Sequence, residues 1–456
     1  MDENINYKEL LLEMLEKKEY TKLRQTAAEM QTADIAAIMD EMEDEDSLKM
    51  FRLFPKDMAA DVFADLEPDD QQYIIQSLSH KEASTIIDNL MSDDAADLLE
   101  DMLEEMPANV VKKILANARP DTRADINLLL QYPEDSAGSI MTVEYVDLRE
   151  NMTVADAIER IRKIGLDSET VNTCYVLDEQ RVLVGTVALR YLVILDPDDI
   201  IGEVMNDNII SVNTLTDQEE TARAFQKYDF TAMPVVDKEN RMVGIITIDD
   251  VVDILEEEAT EDIEKMAAIL PTDKPYFKTG VVETYKKRMP WLLFLMISAT
   301  FTGAIITSYE SALASYVILT AYIPMLMDTG GNAGSQASVS IIRGLSLNEI
   351  EFKELPIALW KEIRVAFLCG LTLACTNFVK LMLLDKLPLL IALIICLTLV
   401  ITVTFAKMMG CVLPMVAQRI GFDPAVMASP LITTIVDAVS LTIYFTIATR
   451  ALHIVV

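Results

Sequence analysis

The sequence predicts a multidomain protein of class α plus α/β plus membrane. The expected order is a helical-repeat N-terminal domain, a tandem pair of small α/β domains, a connecting helix and a five-span all-α transmembrane domain. Three observations predict it. Charge is segregated: residues 1–280 hold 63 acidic and 26 basic side chains, residues 281–456 hold 10 and 12. Two internal repeats of different length fill the acidic part. Long apolar runs fill the rest.

The N-terminal domain, residues 1–135, reads as short helices in series. Leu66, Leu78, Leu90 and Met102 recur every 12 residues, and Val62/Phe63, Ile74/Ile75, Ile86/Ile87 and Leu98/Leu99 keep the same register. Polar openers such as "PKD", "PDD", "SHKE" and "MSDD" precede each apolar pair and supply helix-start chemistry. Units this short are unstable alone, so they must stack and bury their stripes against one another.

A longer repeat follows. "SIMTVEYVDL" is matched by "EVMNDNIISV", and "CYVLDEQRVLVGTVALRYLV" by "MPVVDKENRMVGIITIDDVV". Each copy reads as strand, helix, strand, turn, glycine-bearing strand and helix. This resembles a tandem pair of cystathionine-β-synthase-type (CBS) domains, with copies at 136–200 and 201–255. Such a resemblance implies a regulatory, ligand-sensing pair.

Residues 256–285 read as a connecting helix and linker; the basic cluster Lys286, Lys287, Arg288 then abuts the first long apolar run. The transmembrane domain, 286–456, carries apolar spans near 290–309, 312–328, 357–383, 388–416 and 427–449. The N-terminus lacks the apolar core of a signal peptide and is expected in the cytoplasm. Arg343, Lys353 and Arg419 then fall on cytoplasmic loops, as a positive-inside bias requires, although Lys380 and Lys386 fall outside. An odd number of spans puts the C-terminus outside.

Composition excludes several functions. A net charge of −35 argues against nucleic acid as a partner. His80 and His453 are the only histidines, which excludes a histidine-rich zinc site. The five cysteines form no ligand or disulfide pattern, which fits a reducing cytoplasm and a membrane. No nucleophile–base pair or phosphate-cradling loop points to an enzyme.

The chemistry concentrates in two apolar segments. "PLITTIVDAVSLTIYFTIA" carries one charge, Asp437, with Thr433 one helical turn before it and Ser440 and Tyr444 continuing its face. A carboxylate at the centre of a membrane helix costs roughly 2.5–3.5 kcal/mol, so Asp437 must face an interior or a wet lumen, or else pair with a base such as Lys407. "YIPMLMDTGGNAGSQ" holds Pro324, Gly330, Gly331 and Gly334, read as breaks in the helix, beside the oxygen-bearing Asp328, Asn332, Ser335 and Gln336. A second break, "GFDPAVMASP", precedes the last span. Oxygen donors without thiolate or imidazole suit a hard cation. The candidate ion pathway is therefore Asp437, Thr433, Asp328, Asn332 and Gly331.

"PMLMDTGGNAGSQ" and "DPAVMASPLITTIVDAVSL" resemble the MgtE family of magnesium channels, and the likeness extends over the whole chain. It implies a homodimer in the cell's inner membrane that imports Mg2+ through a pore between subunits, with Asp437 from each. It also implies that cytosolic Mg2+ closes the pore, bound between the N-terminal domain, the CBS domains and the connecting helix. The matching positions are Asp61, Asp93, Asp97 and Gly138, then Asp217, Glu219, Gln226, Asp229, Asp250 and Asp253. Glu258, Glu261 and Asp262 follow on the connecting helix, and Asp423 at the pore mouth. Tyr175 and Arg190 offer a stack and a pair to ATP, but Tyr191 stands where nucleotide sites of this kind place a ribose-binding acid. Competing readings are a divalent-cation exporter or exchanger, and a membrane magnesium sensor that does not conduct.

Overall fold

The computed structural model describes residues 7–272, 276–277, 279–427 and 429–453. Residues 273–275 and 278 of the expected linker, and residue 428 of the break before the last span, lie outside them. The chain divides into two units at Leu255/Glu256.

In the first unit the helices run from α1 (Tyr7–Glu16) to α10 (Pro120–Leu129). The 12-residue register is realised: α5 (Lys56–Ala64), α6 (Pro68–Ser77), α7 (His80–Ile87) and α8 (Ser92–Glu105) begin 12 residues apart. Of the four openers only "SHKE" supplies a side-chain cap; α5, α6 and α8 start without one. Ser79 and Glu82 close a capping box on α7, and Pro68 opens α6, where its missing N–H costs nothing. The apolar pairs Val62/Phe63, Ile74/Ile75, Ile86/Ile87 and Leu98/Leu99 are all buried in one shared core.

Two three-stranded sheets of the same design follow. The first is β1 (Tyr145–Arg149), β2 (Thr170–Leu177) and β3 (Leu183–Ala188), with helices α11 (Val154–Ile164), α12 (Leu189–Ile194) and α13 (Ile201–Val204). The second is β4 (Val212–Asn213), β5 (Ala232–Val236) and β6 (Met242–Thr247), with α14 (Gln218–Tyr228). In each, the first strand pairs parallel to the second, and the second antiparallel to the third. Even the turns repeat: Asp178 Oδ1 accepts from the backbone of Gln180 and Val182, and Asp237 Oδ1 from that of Glu239 and Arg241.

Helix α15 (Ile248–Met266) crosses into the second unit, which continues with α16 (Val281–Ser308), α17 (Glu310–Ser315), α18 (Ile323–Ser346), α19 (Leu355–Leu383), α20 (Leu389–Arg419) and α21 (Ser429–Ala451). Among the described residues, four segments are long and apolar enough to cross a bilayer: Val281–Ser308, Phe352–Leu383, Leu389–Arg419 and Pro424–Ala451. The second expected span, 312–328, is displaced. That stretch is α17 followed by a 3-10 turn at Val317–Tyr322, and the long helix is α18, which is too polar to qualify by composition.

The expected break at "PMLMDTGGNAGSQ" is also corrected: α18 runs through it without interruption. Pro324 begins the helix rather than breaking it. The glycines serve close packing. A Cβ on Gly334 would lie 2.7 Å from Ile432 and 3.2 Å from the Ala406 carbonyl, and one on Gly410 would overlap the Gly334 carbonyl. Small residues let membrane helices approach at backbone distance. The break before α21 does form: Gly421 sits at φ +83°, and a 3-10 turn spans Pro424–Met427.

Candidate functional site

The first cluster of interest lies in the second unit, where α18 packs on α20 and α21. Gly331 lies against Thr433: a Cβ there would meet Thr433 Cγ2 at 2.9 Å and Oγ1 at 3.3 Å. One turn along α21 is Asp437, half-buried, whose Oδ1 is shut from solvent without a hydrogen-bond partner. Asp328 is close enough to act on it electrostatically. The hydroxyls of Thr402 and Ser440 are buried without a partner, and Gly330 packs against the Thr402 methyl and the Ser440 Oγ. Tyr444, further along the same face, donates its hydroxyl to the Leu319 carbonyl (3.1 Å). A buried carboxylate oxygen without a partner, in a region that also holds unpartnered hydroxyls, offers oxygen donors that suit a hard cation or its water shell.

Asp328 and Asn332 are exposed and line a cavity of about 540 Å³ with Gln336, Thr372 and Lys407. Lys407 does not neutralise Asp437. It is 5% exposed, and its Nζ lies 3.9 Å from Glu362 Oε2. The alternative Asp437–Lys407 pair is thus replaced by a Lys407–Glu362 pair between α20 and α19, two residues with no local spacing to connect them.

The second cluster joins α15 to the loop before α21. Lys265 Nζ lies 2.5 Å from Glu261 Oε1 and 2.7 Å from Asp423 Oδ2. Burial works against its charge, but the bonds to Asp423 and Glu261 outweigh it and hold the ammonium above its usual range. Two predicted ligands are therefore bridged by a lysine of the chain itself. Asp262 Oδ2 accepts from Ser346 Oγ at 3.4 Å, and Glu258 is half-buried on the same helix.

The third cluster is in the first unit. Asp93, in the first turn of α8, is 8% exposed. Burial, then the charges of Asp250 and Asp94, push its carboxyl well above the usual range. Asp250 is raised by burial as well, although it accepts from Thr247 Oγ1 at 2.6 Å. Two residues that sequence reading missed belong here. Glu169 is pushed up to about 7, mostly by burial and then by Asp249, Asp250, Asp94 and Glu144. Glu144 Oε2 accepts from Ser92 Oγ (2.7 Å) and Thr142 Oγ1 (2.6 Å), tying α8 to the first sheet's leading segment. As lone acids outside any helical pairing, neither stood out.

Other expected ligands are more dispersed. Asp61, Asp97 and Asp253 are exposed. Asp217 caps α14 by accepting from Glu219 N (2.9 Å), and Glu219 is bound to Arg223. Gly138 is buried, its N–H bonded to the Thr214 carbonyl (2.9 Å). Gln226 is exposed, and Asp229 ends α14 in a left-handed conformation. Among the described residues, no three carboxylates, thiols or imidazoles converge as a set for a bare metal ion.

A cavity of about 1120 Å³ in the CBS region is lined by Tyr175, Arg190, Tyr191, Asp229 and Phe230. Tyr175, expected to stack on a base, is 1% exposed and set edge-on to Tyr145. The exposed ring is Tyr191, with the Arg190 guanidinium 5.1 Å from its centroid.

Comparison with known proteins bears on these sites. Residues 323–447 match the divalent cation transporter family MgtE, 30–135 the MgtE intracellular N domain, and 201–257 the CBS domain. The magnesium transporter MgtE of Thermus thermophilus is 38% identical, over 98% of each chain. That of Bacillus subtilis is 32% identical, over 99% of this chain and all of its own. The crystallised cytosolic domain of the Mg2+ channel MgtE in complex with ATP is 39% identical and superposes with a TM-score of 0.51, covering 54% of this chain and 98% of its own. The soluble part of a magnesium transporter gives 29% and 0.52, over 55% and 98%.

Proposed function

Because the chain belongs to the MgtE family of magnesium transporters, membrane proteins of several spans with an intracellular N domain and no enzymes, we propose that it is a homodimeric, magnesium-selective channel for uptake. The observation that carries this reading is the orphaned Oδ1 of Asp437, buried without a partner on the helix that also carries the unpartnered hydroxyl of Ser440. Magnesium dehydrates reluctantly and keeps several waters. A carboxylate from each subunit holds the hydrated ion through that shell, with Thr433, Gly331, Asp328 and Asn332 along its route. Import follows the potential: two charges gain roughly 4.6 kcal/mol per 100 mV.

Cytosolic Mg2+ then closes the pore. Asp61, Asp93, Asp97, Gly138, Asp217, Glu219, Gln226, Asp229, Asp250 and Asp253 bind it in the first unit, and Glu258, Glu261, Asp262 and Asp423 in the second. The ion favours closed packing only through its higher affinity for it. The domains are those set out above, 1–135, 136–200, 201–255, 256–285 and 286–456. The protein sits in the inner membrane with its N-terminus inside and its C-terminus outside. The cavity lined by Tyr175 and Arg190 favours ATP as a second ligand, and the crystallised relative is a complex with ATP.

Purified chain in liposomes tests this. Asp437→Asn is expected to lower Mg2+ influx at least tenfold while the protein remains folded; unchanged influx rejects the pathway. Rescue of a magnesium-uptake-deficient cell on low magnesium separates import from export, and absence of any current leaves the sensor reading.

A further inference from the structure

Where α16 begins, several exposed groups have no role in the reading above. Tyr276 and Phe277 meet edge-to-face, 5.4 Å apart, and Phe277 is 96% exposed. Val281, Val282 and Tyr285 are exposed on the first turns of α16, and Lys286 and Arg288 beside them. Together Tyr276, Phe277, Thr284, Tyr285, Arg288 and Leu292 line a groove of about 530 Å³. Glu283 is the acid in the first turn of α16.

Lys287 behaves differently from its neighbours. It is half-buried, and its Nζ donates to the Pro271 carbonyl, while its own carbonyl accepts from Leu270 N (3.0 Å). Thr272 N donates to Glu264 Oε2 (2.8 Å). Residues 270–272 are thus pinned at one side to α16 and at the other to the last turns of α15. That helix carries Lys265, which is bonded to Asp423. The groove is joined by an unbroken set of contacts to the loop that opens α21.

We propose that this groove docks the headgroup of an anionic phospholipid, and that lipid bound there steadies the end of α15. The occupant follows from the chemistry. α16 is one of the apolar, bilayer-length helices, so its first turns meet headgroups wherever the chain is inserted. Aromatic side chains settle at that depth, the Arg288 guanidinium in the groove matches a phosphodiester, and the exposed Lys286 adds to the positive charge of the helix's first turns. The effect on closure rests on the gating function proposed above; the docking does not.

Trp291 lies one turn past Arg288, and Trp360 is the other tryptophan. The full chain carrying Trp360→Phe is reconstituted in phosphatidylcholine bilayers doped with brominated phosphatidylglycerol or brominated phosphatidylcholine. Quenching of Trp291 is expected to favour phosphatidylglycerol by roughly fivefold per basic side chain. Lys286→Gln with Arg288→Gln should remove the preference. Phosphatidylglycerol should also lower the internal magnesium needed for half-closure, and not in the double variant. Equal quenching by the two lipids, or a preference that survives the double variant, overturns the site. A preference lost in the variant, in a chain that magnesium never closes, upholds the docking and refutes the gating reading instead.

Discussion

Two regions of the molecule handle crowded acids in opposite ways. In the first unit Asp93, Asp250 and Glu169 face other acids, and burial raises all three. What neutralises them must come from outside, as a proton or a mobile cation. In the second unit Glu261 and Asp423 meet Lys265, a cation on a tether. The first arrangement leaves its acids to be neutralised by the solution, as the proposed magnesium sensing requires. The second already holds two segments together through Lys265, so an ion that binds Glu261 or Asp423 there competes with a tethered charge.

The most disruptive way to break this comparison is to make the second region resemble the first. Lys265→Glu places three acids together where one lysine had joined two. Since like charges repel and the bridge is lost, half-closure by internal magnesium should need roughly tenfold more ion, about the cost of one charge-assisted contact. Liposome flux at stepped internal magnesium reads this, and an unchanged value would mean that the bridge has no part in closure.

A smaller effect is expected from Asp250→Asn. Removing that charge relieves Asp93, so the full chain in chelator should melt a few degrees higher, and the rise produced by added magnesium should shrink. Differential scanning fluorimetry decides it.

The smallest change comes from pH. Glu169 has an ordinary value of 4.5 and is held at about 7 in the fold. Its folded value is raised, so the fold binds a proton that the unfolded chain releases. Stability is therefore greatest below the unfolded value and declines as pH rises through about 7. Melting in chelator should fall modestly from about pH 5 to about pH 8. Millimolar magnesium should flatten the slope, because the ion then does the proton's work. Asp93, raised as well, adds to the same trend.

What the sequence made legible was whatever repeats at short range. The starts of α5 to α8 follow directly from "PKD", "PDD", "SHKE" and "MSDD", because capping and burial are local. The two sheets followed from their paired turns. Asp437 stood out because a lone acid in an apolar run has no inexpensive explanation. Glycines do not announce their use. Gly330, Gly331 and Gly334 read as breaks because in isolation they weaken a helix, whereas the neighbours that require them, Thr433, Ile432 and Ala406, lie far along the chain. The partners of Lys407 and of Lys265 were hidden for the same reason. Only Glu261–Lys265, at i,i+4, carried a local signal.

The claim on which the transport reading depends is that water reaches residue 437. A cysteine-free chain carrying Asp437→Cys, in lipid bilayers, can be treated with a small charged methanethiosulfonate. The account predicts rapid modification that magnesium slows. A cysteine that stays unmodified in folded protein, with or without magnesium, would contradict it.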